Sequence, residues 1–316
     1  MYTSSRHSVR SLLSMMGVRT APTVSDTDIE QLLVGRVTSC SVERCKSDAV
    51  FPIVARHTIP LGYPDTHKEA ARKWLRAYQY LLQQVGRYTT EGRPVPPDLM
   101  SQLYTTLTRA RMYEDLGTPT KKETMELTAE QTLAAPKVQW ILEYIQRNPE
   151  KKIVIASDFV CVLEQLSRVV PVATVLYHGL FDLKQRSDGL DAFRGSTNVL
   201  LLSRKAGGVG LSLFAHAMIF VEPAMTQATD SQTTARIIRM GQSHMVDVYY
   251  LLLPGMDSFI HSKQLDKLLD SVPFNANGLE EAAKIFSPLL LQQARDKHSK
   301  VRGSPYLRRG RLPDRP

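Results

Sequence analysis

Cysteine is almost absent from these 316 residues, Cys40, Cys45 and Cys161 being the whole complement. Three scattered thiols make no disulfide framework, and none sits in the paired Cys/His spacing of a structural zinc site; a reducing compartment fits. Long apolar runs are missing as well. No uncharged stretch approaches the roughly 18 residues that a membrane span needs, so no membrane crossing is expected. No internal repeat is found. Acidic residues are short by comparison with basic ones, 31 against 40, which leaves a net charge of +9. That surplus suits a polyanionic partner, although charge alone speaks to solubility and non-specific binding rather than to fold. It is also unevenly spread. Arg295, Lys297, Lys300, Arg302, Arg308, Arg309, Arg311 and Arg315 face only Asp296 and Asp314 in the last stretch, so most of the excess sits in a basic tail.

What is present is the composition of a globular chain, 43% hydrophobic and 22% charged, long enough for one or two cores. Residues 1–20 carry Arg6, Arg10 and Arg19 with many serines and no acid before Asp26. A mitochondrial transit peptide shares that composition. Their apolar patch (Leu12, Leu13, Met15, Met16) is short, and we read the stretch as a frayed start or the remnant of an upstream domain.

Residues 66–86 place Ala70, Ala71, Trp74, Leu75, Tyr78, Leu81, Leu82 and Val85 on one helical face, with Lys68, Arg72, Lys73 and Arg76 around it. The prolines between Gly92 and Pro97 break this helix. A second pattern runs through Leu99, Leu103, Leu107 and Ala110 until Gly117 and Pro119. From Pro136 onward helical and strand periods alternate: apolar strands at 153–156, 172–177, 199–202, 218–221 and 246–253, with helices between them and from 255 to 269. The last interval between strands carries a helix expected over 226–239. This order predicts an α/β fold, a parallel sheet with helices on both faces, preceded by an α-helical segment. Ligands of such sheets sit at the carboxyl ends of the strands.

The motif-bearing loop falls there. Ser203 to Leu213, SRKAGGVGLSL, follows the strand 199–202 directly. Gly207, Gly208 and Gly210 permit close backbone approach, so that amides face phosphate oxygens, while Ser203 and Lys205 add a hydroxyl and a cation. Further on, Gln232, Arg236 and Arg239 are spaced to stack on one face of the expected helix. Only Glu222 and Asp230 lie nearby to neutralise that face. Two guanidiniums together suit the charge that develops on a transferring γ-phosphoryl group.

The ungapped segment from Leu200 to Gln242 resembles motifs five and six of the superfamily-two, Swi/Snf-type remodelling ATPases: Ser-x-Lys-Ala-Gly-Gly, Gly-Leu-x-Leu, then Gln-x3-Arg-x2-Arg-x-Gly-Gln. Lys152 to Phe159, KIVIASDF, is similar to the family's Lys-x-hydrophobic-Ile-Phe-Ser-Gln-Phe strand. Gly179, Arg186 and Phe193 match the next unit, and Glu43 to Ile59 resembles the end of the family's first lobe. The resemblance implies a RecA-like C-terminal helicase lobe that works on duplex DNA in the nucleus, within chromatin remodelling. It implies Arg236 and Arg239 as catalytic residues and Gly208, Gly210, Gln232, Arg236 and Arg239 as nucleotide contacts. Ser157, Ser203, Lys205 and Gly207 would be contacts to the DNA backbone. The implied organisation is 1–60 as the end of a first lobe, 61–135 as a helical linker, 136–272 as the lobe and 273–316 as a basic tail, largely disordered.

The family pattern is not complete in this sequence. No Gly-x4-Gly-Lys-Ser/Thr and no acidic tetrad is present, the elements that cradle phosphates and hold magnesium in P-loop enzymes. Ala224, Met225, Thr226 and Gln227 replace the family's Asp-Trp-Asn-Pro, and Ile238 replaces its histidine. ATP and Mg2+ are therefore expected only if a first lobe is supplied, from a separate polypeptide or a remodelling complex, and the isolated chain is expected to be inactive as an ATP hydrolase. A catalytically dead module for DNA or protein binding is the alternative, and a nucleotide-binding module using the Gly-rich turn is a third.

Overall fold

A computed structural model describes residues 52–206, 211–238, 242 and 244–270. Six strands form one parallel sheet: β1 (Val54–Pro60), β2 (Ile153–Ser157), β3 (Thr174–Tyr177), β4 (Val199–Ser203), β5 (Ala217–Phe220) and β6 (Val246–Leu252). Their order is β1-β6-β5-β2-β4-β3. β2 is the centre of the sheet. β4 lies on one side of it and β5 on the other, so the chain changes direction of travel between those two strands.

The apolar strands read as continuous runs because both faces are covered. Alternate residues point to opposite faces. Ile153, Ile155, Val199, Leu201, Ala217 and Ile219 join one buried cluster, whereas Val154, Ala156, Leu200, Leu202, Met218 and Phe220 join another. The first cluster packs under α5 (Pro136–Arg147) and α6 (Val160–Val169), which supply Val138, Ile141, Leu163 and Leu166. The second receives Phe193 from α7 (Leu183–Arg194). Each such side chain, fully buried, contributes about 1.5–3 kcal/mol.

The helical segment consists of α1 (Asp65–Thr90), α2 (Pro97–Leu116) and the short α3 (Lys121–Glu126) and α4 (Ala129–Leu133). α1 and α2 bury Tyr78, Leu103, Leu107 and Ala110 against Met256 and Ile260 of α9 (Met256–Asp270). α2 ends at Gly117, whose φ of +79° is the left-handed conformation a helix C-cap asks of glycine. A buried ion network fixes α2 to the lobe. The Lys137 ammonium of α5 lies 2.7 Å from Asp115 Oδ1 and 2.6 Å from Asp257 Oδ2, with all three side chains fully enclosed. Burial favours the neutral amine, yet Asp115 and Asp257 outweigh it and hold the Lys137 pKa above its ordinary value. Next to it, Glu114 accepts hydrogen bonds from the Met256 and Asp257 amides at the start of α9 and from the Tyr63 hydroxyl. Burial, then the charge of Asp257, pushes the Glu114 carboxyl up to about 8.

Val54–Pro60, placed by the sequence with the end of a first lobe, pairs residue for residue with β6, from Val54 opposite Val246 to Pro60 opposite Leu252. That strand belongs to this sheet. Cys40, Cys45, residues 1–51 and the basic tail lie outside the described residues.

Candidate nucleic-acid and nucleotide interface

The three central strands each deliver a charge at their carboxyl ends. Asp158 follows β2, Arg204 follows β4, and Glu222 stands two residues beyond β5. Because β2 runs between the other two, the three meet. Arg204 Nη1 lies 3.1 Å from both Asp158 Oδ2 and Glu222 Oε1, its Nη2 donates to the Glu222 main-chain oxygen, and its Nε lies 3.7 Å from Asp230 Oδ1. The guanidinium also lies over the Phe220 ring at 5.0 Å. Asp158 has a second cation, Arg111 of α2, whose Nη2 donates at 2.7 Å. Asp230, in the first turn of α8 (Gln227–Thr234), accepts from the Ala224 amide and from Gln264 of α9.

Burial raises the Asp158 pKa, but Arg204 and Arg111 reverse that and hold it below the usual carboxylate range. For Glu222 and Asp230 burial wins over Arg204 and both pKa values are raised. Glu222 Oε1 accepts from the Asp158 amide at 2.6 Å and from the Ser157 hydroxyl at 3.2 Å, while Oε2 has no hydrogen-bonding partner among the described residues.

The expected site residues are distributed differently from their sequence reading. Ser157 and Ser203 are paired across β2 and β4 and are both buried. The Ser157 hydroxyl accepts from the Phe159 amide at 3.0 Å as well as facing Glu222, so it is committed inside the lobe. Lys205 is exposed. Gly207, Gly208, Gly210 and Arg239 lie outside the described residues.

The expected helix 226–239 is shorter. α8 stops at Thr234, where the bonds tighten to Arg236 N to Thr233 O and Ile237 N to Thr234 O. The Thr233 and Thr234 hydroxyls bond back to Thr229 O and Asp230 O, a competition that weakens helix interiors. The Arg236 carbonyl is then taken by Leu213 N at 3.0 Å. Gln232 and Arg236 consequently share no exposed helical face: Gln232 is exposed, whereas Arg236 retains 7% of its surface. Glu222 and Asp230, expected beside that face, serve Arg204 instead. Sequence reasoning passed over Arg204 and Arg111. A signal for Arg204 existed in its position, a charge two residues beyond the apolar run 199–202, with acids after the two neighbouring strands. Gln242, the last motif residue, is buried and donates to Ala215 O at 2.9 Å, tying the end of the arginine segment to the end of the Gly-rich one.

Concavity and chemistry do not coincide. A cavity of about 520 Å³ lies at the opposite, amino edge of the sheet, between Ile145, Pro171, Val172 and Val199. Among the described residues no group of three His, Cys, Asp or Glu side chains is placed to hold a metal ion. Arg204 and Arg111 are already neutralised by carboxylates of this chain. These two arginines are thus committed within the lobe rather than open to a phosphate.

Residues 136–241 match the helicase conserved C-terminal domain. The fold and this match mark residues 136–241 as a helicase C-terminal domain. That lobe is similar to those of Swi/Snf-type proteins. The chain is 30% identical over 178 residues to a DNA repair and recombination protein RAD54-like of Drosophila willistoni, covering 54% of this chain and 22% of that protein. It is 34% identical over 128 residues to RAD54B of Mus musculus, covering 38% and 14%. The chain thus spans less than a quarter of the length of either. Among solved structures, the C-terminal part of the Fun30 ATPase domain shares the fold with a TM-score of 0.52 at 17% identity, over 67% of this chain and 89% of that one. The Sulfolobus solfataricus SWI2/SNF2 ATPase core in complex with dsDNA gives 0.50 at 16% identity, over 83% and 57%. No helix among the described residues is long and apolar enough to cross a membrane.

Proposed function

We propose that this chain supplies the second half of an ATP-driven duplex-DNA translocase. The observation that carries the proposal is the Swi/Snf-type lobe, whose central strands bring Lys205 to the carboxyl edge. Lys205 and the glycines that follow it hold the DNA backbone through phosphate, hence without sequence specificity. Arg236 and Arg239, with Gln232, Gly208 and Gly210, complete a nucleotide site. The phosphate cradle and magnesium ligands come from a first lobe, carried on another polypeptide or on another part of a longer one. RAD54-like relatives that act in DNA repair and recombination support a nuclear location.

The test is duplex-DNA affinity and DNA-stimulated ATPase, on the chain alone and mixed with a candidate first lobe. DNA binding that weakens steeply between 50 and 200 mM salt, no turnover alone, and turnover on mixing are expected. Flat salt dependence would remove the phosphate-tracking role. Binding without turnover in any mixture would leave an inactive DNA-binding module.

A further inference from the structure

Arg111 belongs to α2, outside the segment that matches the helicase domain, yet its partners lie within that segment. Its Nη2 donates to Asp158 Oδ2 at 2.7 Å and to Pro223 O at 2.9 Å, partners 47 and 112 positions away. The guanidinium lies over the Phe159 ring at 5.2 Å and is buried. One side chain thus touches the loop after β2 and the loop after β5.

Both contacts lead on to the interface. Asp158 is shared with Arg204, the residue before Lys205. Pro223 precedes Ala224, whose amide is held by Asp230 at the head of α8, and α8 leads into the turn that carries Arg236. The Arg111 Nη2 is taken up by Asp158 and Pro223, so the side chain acts through those loops. We infer that Arg111 is a positioning residue, through which the helical segment sets the geometry of the loops bearing Lys205 and Arg236. Its effect on DNA rests on the DNA-binding reading above; its effect on the loops does not.

The fold has the means to survive loss of this side chain. Asp158 keeps Arg204, and α2 keeps its separate anchorage through Asp115, Glu114 and Lys137. The test compares full-length wild type, Arg111→Met, Arg111→Lys and Gly117→Ala, the last weakening the end of the same helix without touching the loops. Amide hydrogen exchange and duplex-DNA affinity across a salt series are both measured.

In Arg111→Met the Asp158, Arg204 and Ala224 amides exchange roughly tenfold faster or more, since local opening is set by the contacts that hold a segment. DNA affinity falls roughly tenfold with an unchanged salt slope, because a misplaced contact loses affinity while no phosphate contact is removed. Arg111→Lys, able to hold Asp158 but lacking the planar fork, falls between wild type and Arg111→Met, and carries the test should Arg111→Met fail to fold. Gly117→Ala lowers stability with loop exchange and affinity unchanged. Loop exchange like that of wild type in both Arg111 variants, or an equal effect from Gly117→Ala, overturns the inference. Faster loop exchange in a protein whose wild type binds no DNA upholds the positioning role and removes the DNA-binding reading instead.

Discussion

Arg204 and Glu222, 18 positions apart and following two strands that do not touch, are joined twice. Nη1 of the arginine meets the carboxylate at 3.1 Å, and Nη2 donates to the main-chain oxygen of the same glutamate. The arginine is therefore bound both to a charge and to the course of the backbone. It bridges over β2, and Asp158 at the end of β2 closes the group.

Arg204→Met leaves Asp158 with Arg111 alone and strips Glu222 and Asp230 of their nearest cation. Removing one side of a buried ionic group typically costs about 3–5 kcal/mol. Urea denaturation is expected to show a loss of that order, with Arg204→Lys losing less. A loss within experimental error of zero would mean that the three carboxylates are not held by Arg204.

The Lys137 ammonium answers to two aspartates and has no solvent to replace it. Lys137→Met is expected to cost a similar amount, about 3–5 kcal/mol, and Lys137→Met combined with Asp115→Asn less than the single change, since fewer unpaired charges remain buried. A double-mutant cycle of unfolding free energies checks this.

His261 on α9 is buried, and burial lowers its imidazole pKa to about 4. The unfolded chain protonates it near the ordinary value of 6.5, so between pH 6.5 and 4 the unfolded state binds more protons than the folded one. Its contribution is thus absent above pH 6.5 and becomes a growing loss of stability as pH falls to 4, about 3 kcal/mol by linkage for one group. His261→Gln is expected to flatten the stability profile across that window. A profile with the same slope as wild type would assign the acid sensitivity elsewhere.

Gly117→Ala forces a Cβ into the left-handed region and toward the His67 ring, 3.0 Å from where that carbon would stand. A cost of about 1–2 kcal/mol is expected from the backbone alone, read as a lowered thermal midpoint. Gly92→Ala, also at positive φ but with open space around it, is expected to cost no more.

Lys205→Ala is expected to weaken duplex binding alike for unrelated sequences and to lower the salt slope by about one, the mark of a single lost phosphate contact. Sequence-dependent loss would point to base contacts instead.

The strands were legible in the sequence because runs such as Val199 to Leu202 and Ile153 to Ala156 are buried on both faces and tolerate no polar residue. The long amphipathic face of α1 was legible for the complementary reason, one side apolar and the other basic. The end of α8 was not, since it is decided by Leu213 drawing on the Arg236 carbonyl from another segment. Nor was the Arg204 group: it depends on β2 lying between β4 and β5, an order that no periodicity along the chain encodes. Ser157 and Ser203 looked like surface donors by their place in a motif, but register turns both inward.

The pairing of β1 with β6 sets how the lobe can be cut. A fragment begun at Pro136, where the helicase match starts, would bare the outer edge of β6 over all seven paired positions and leave a row of unsatisfied amides and carbonyls. Such an edge recruits strands from other molecules, so that fragment should self-associate. It would also keep Lys137 while discarding Asp115. The smallest piece of this protein expected to fold as a monomer therefore includes Val54, and the edge of the helicase match lies well inside that piece.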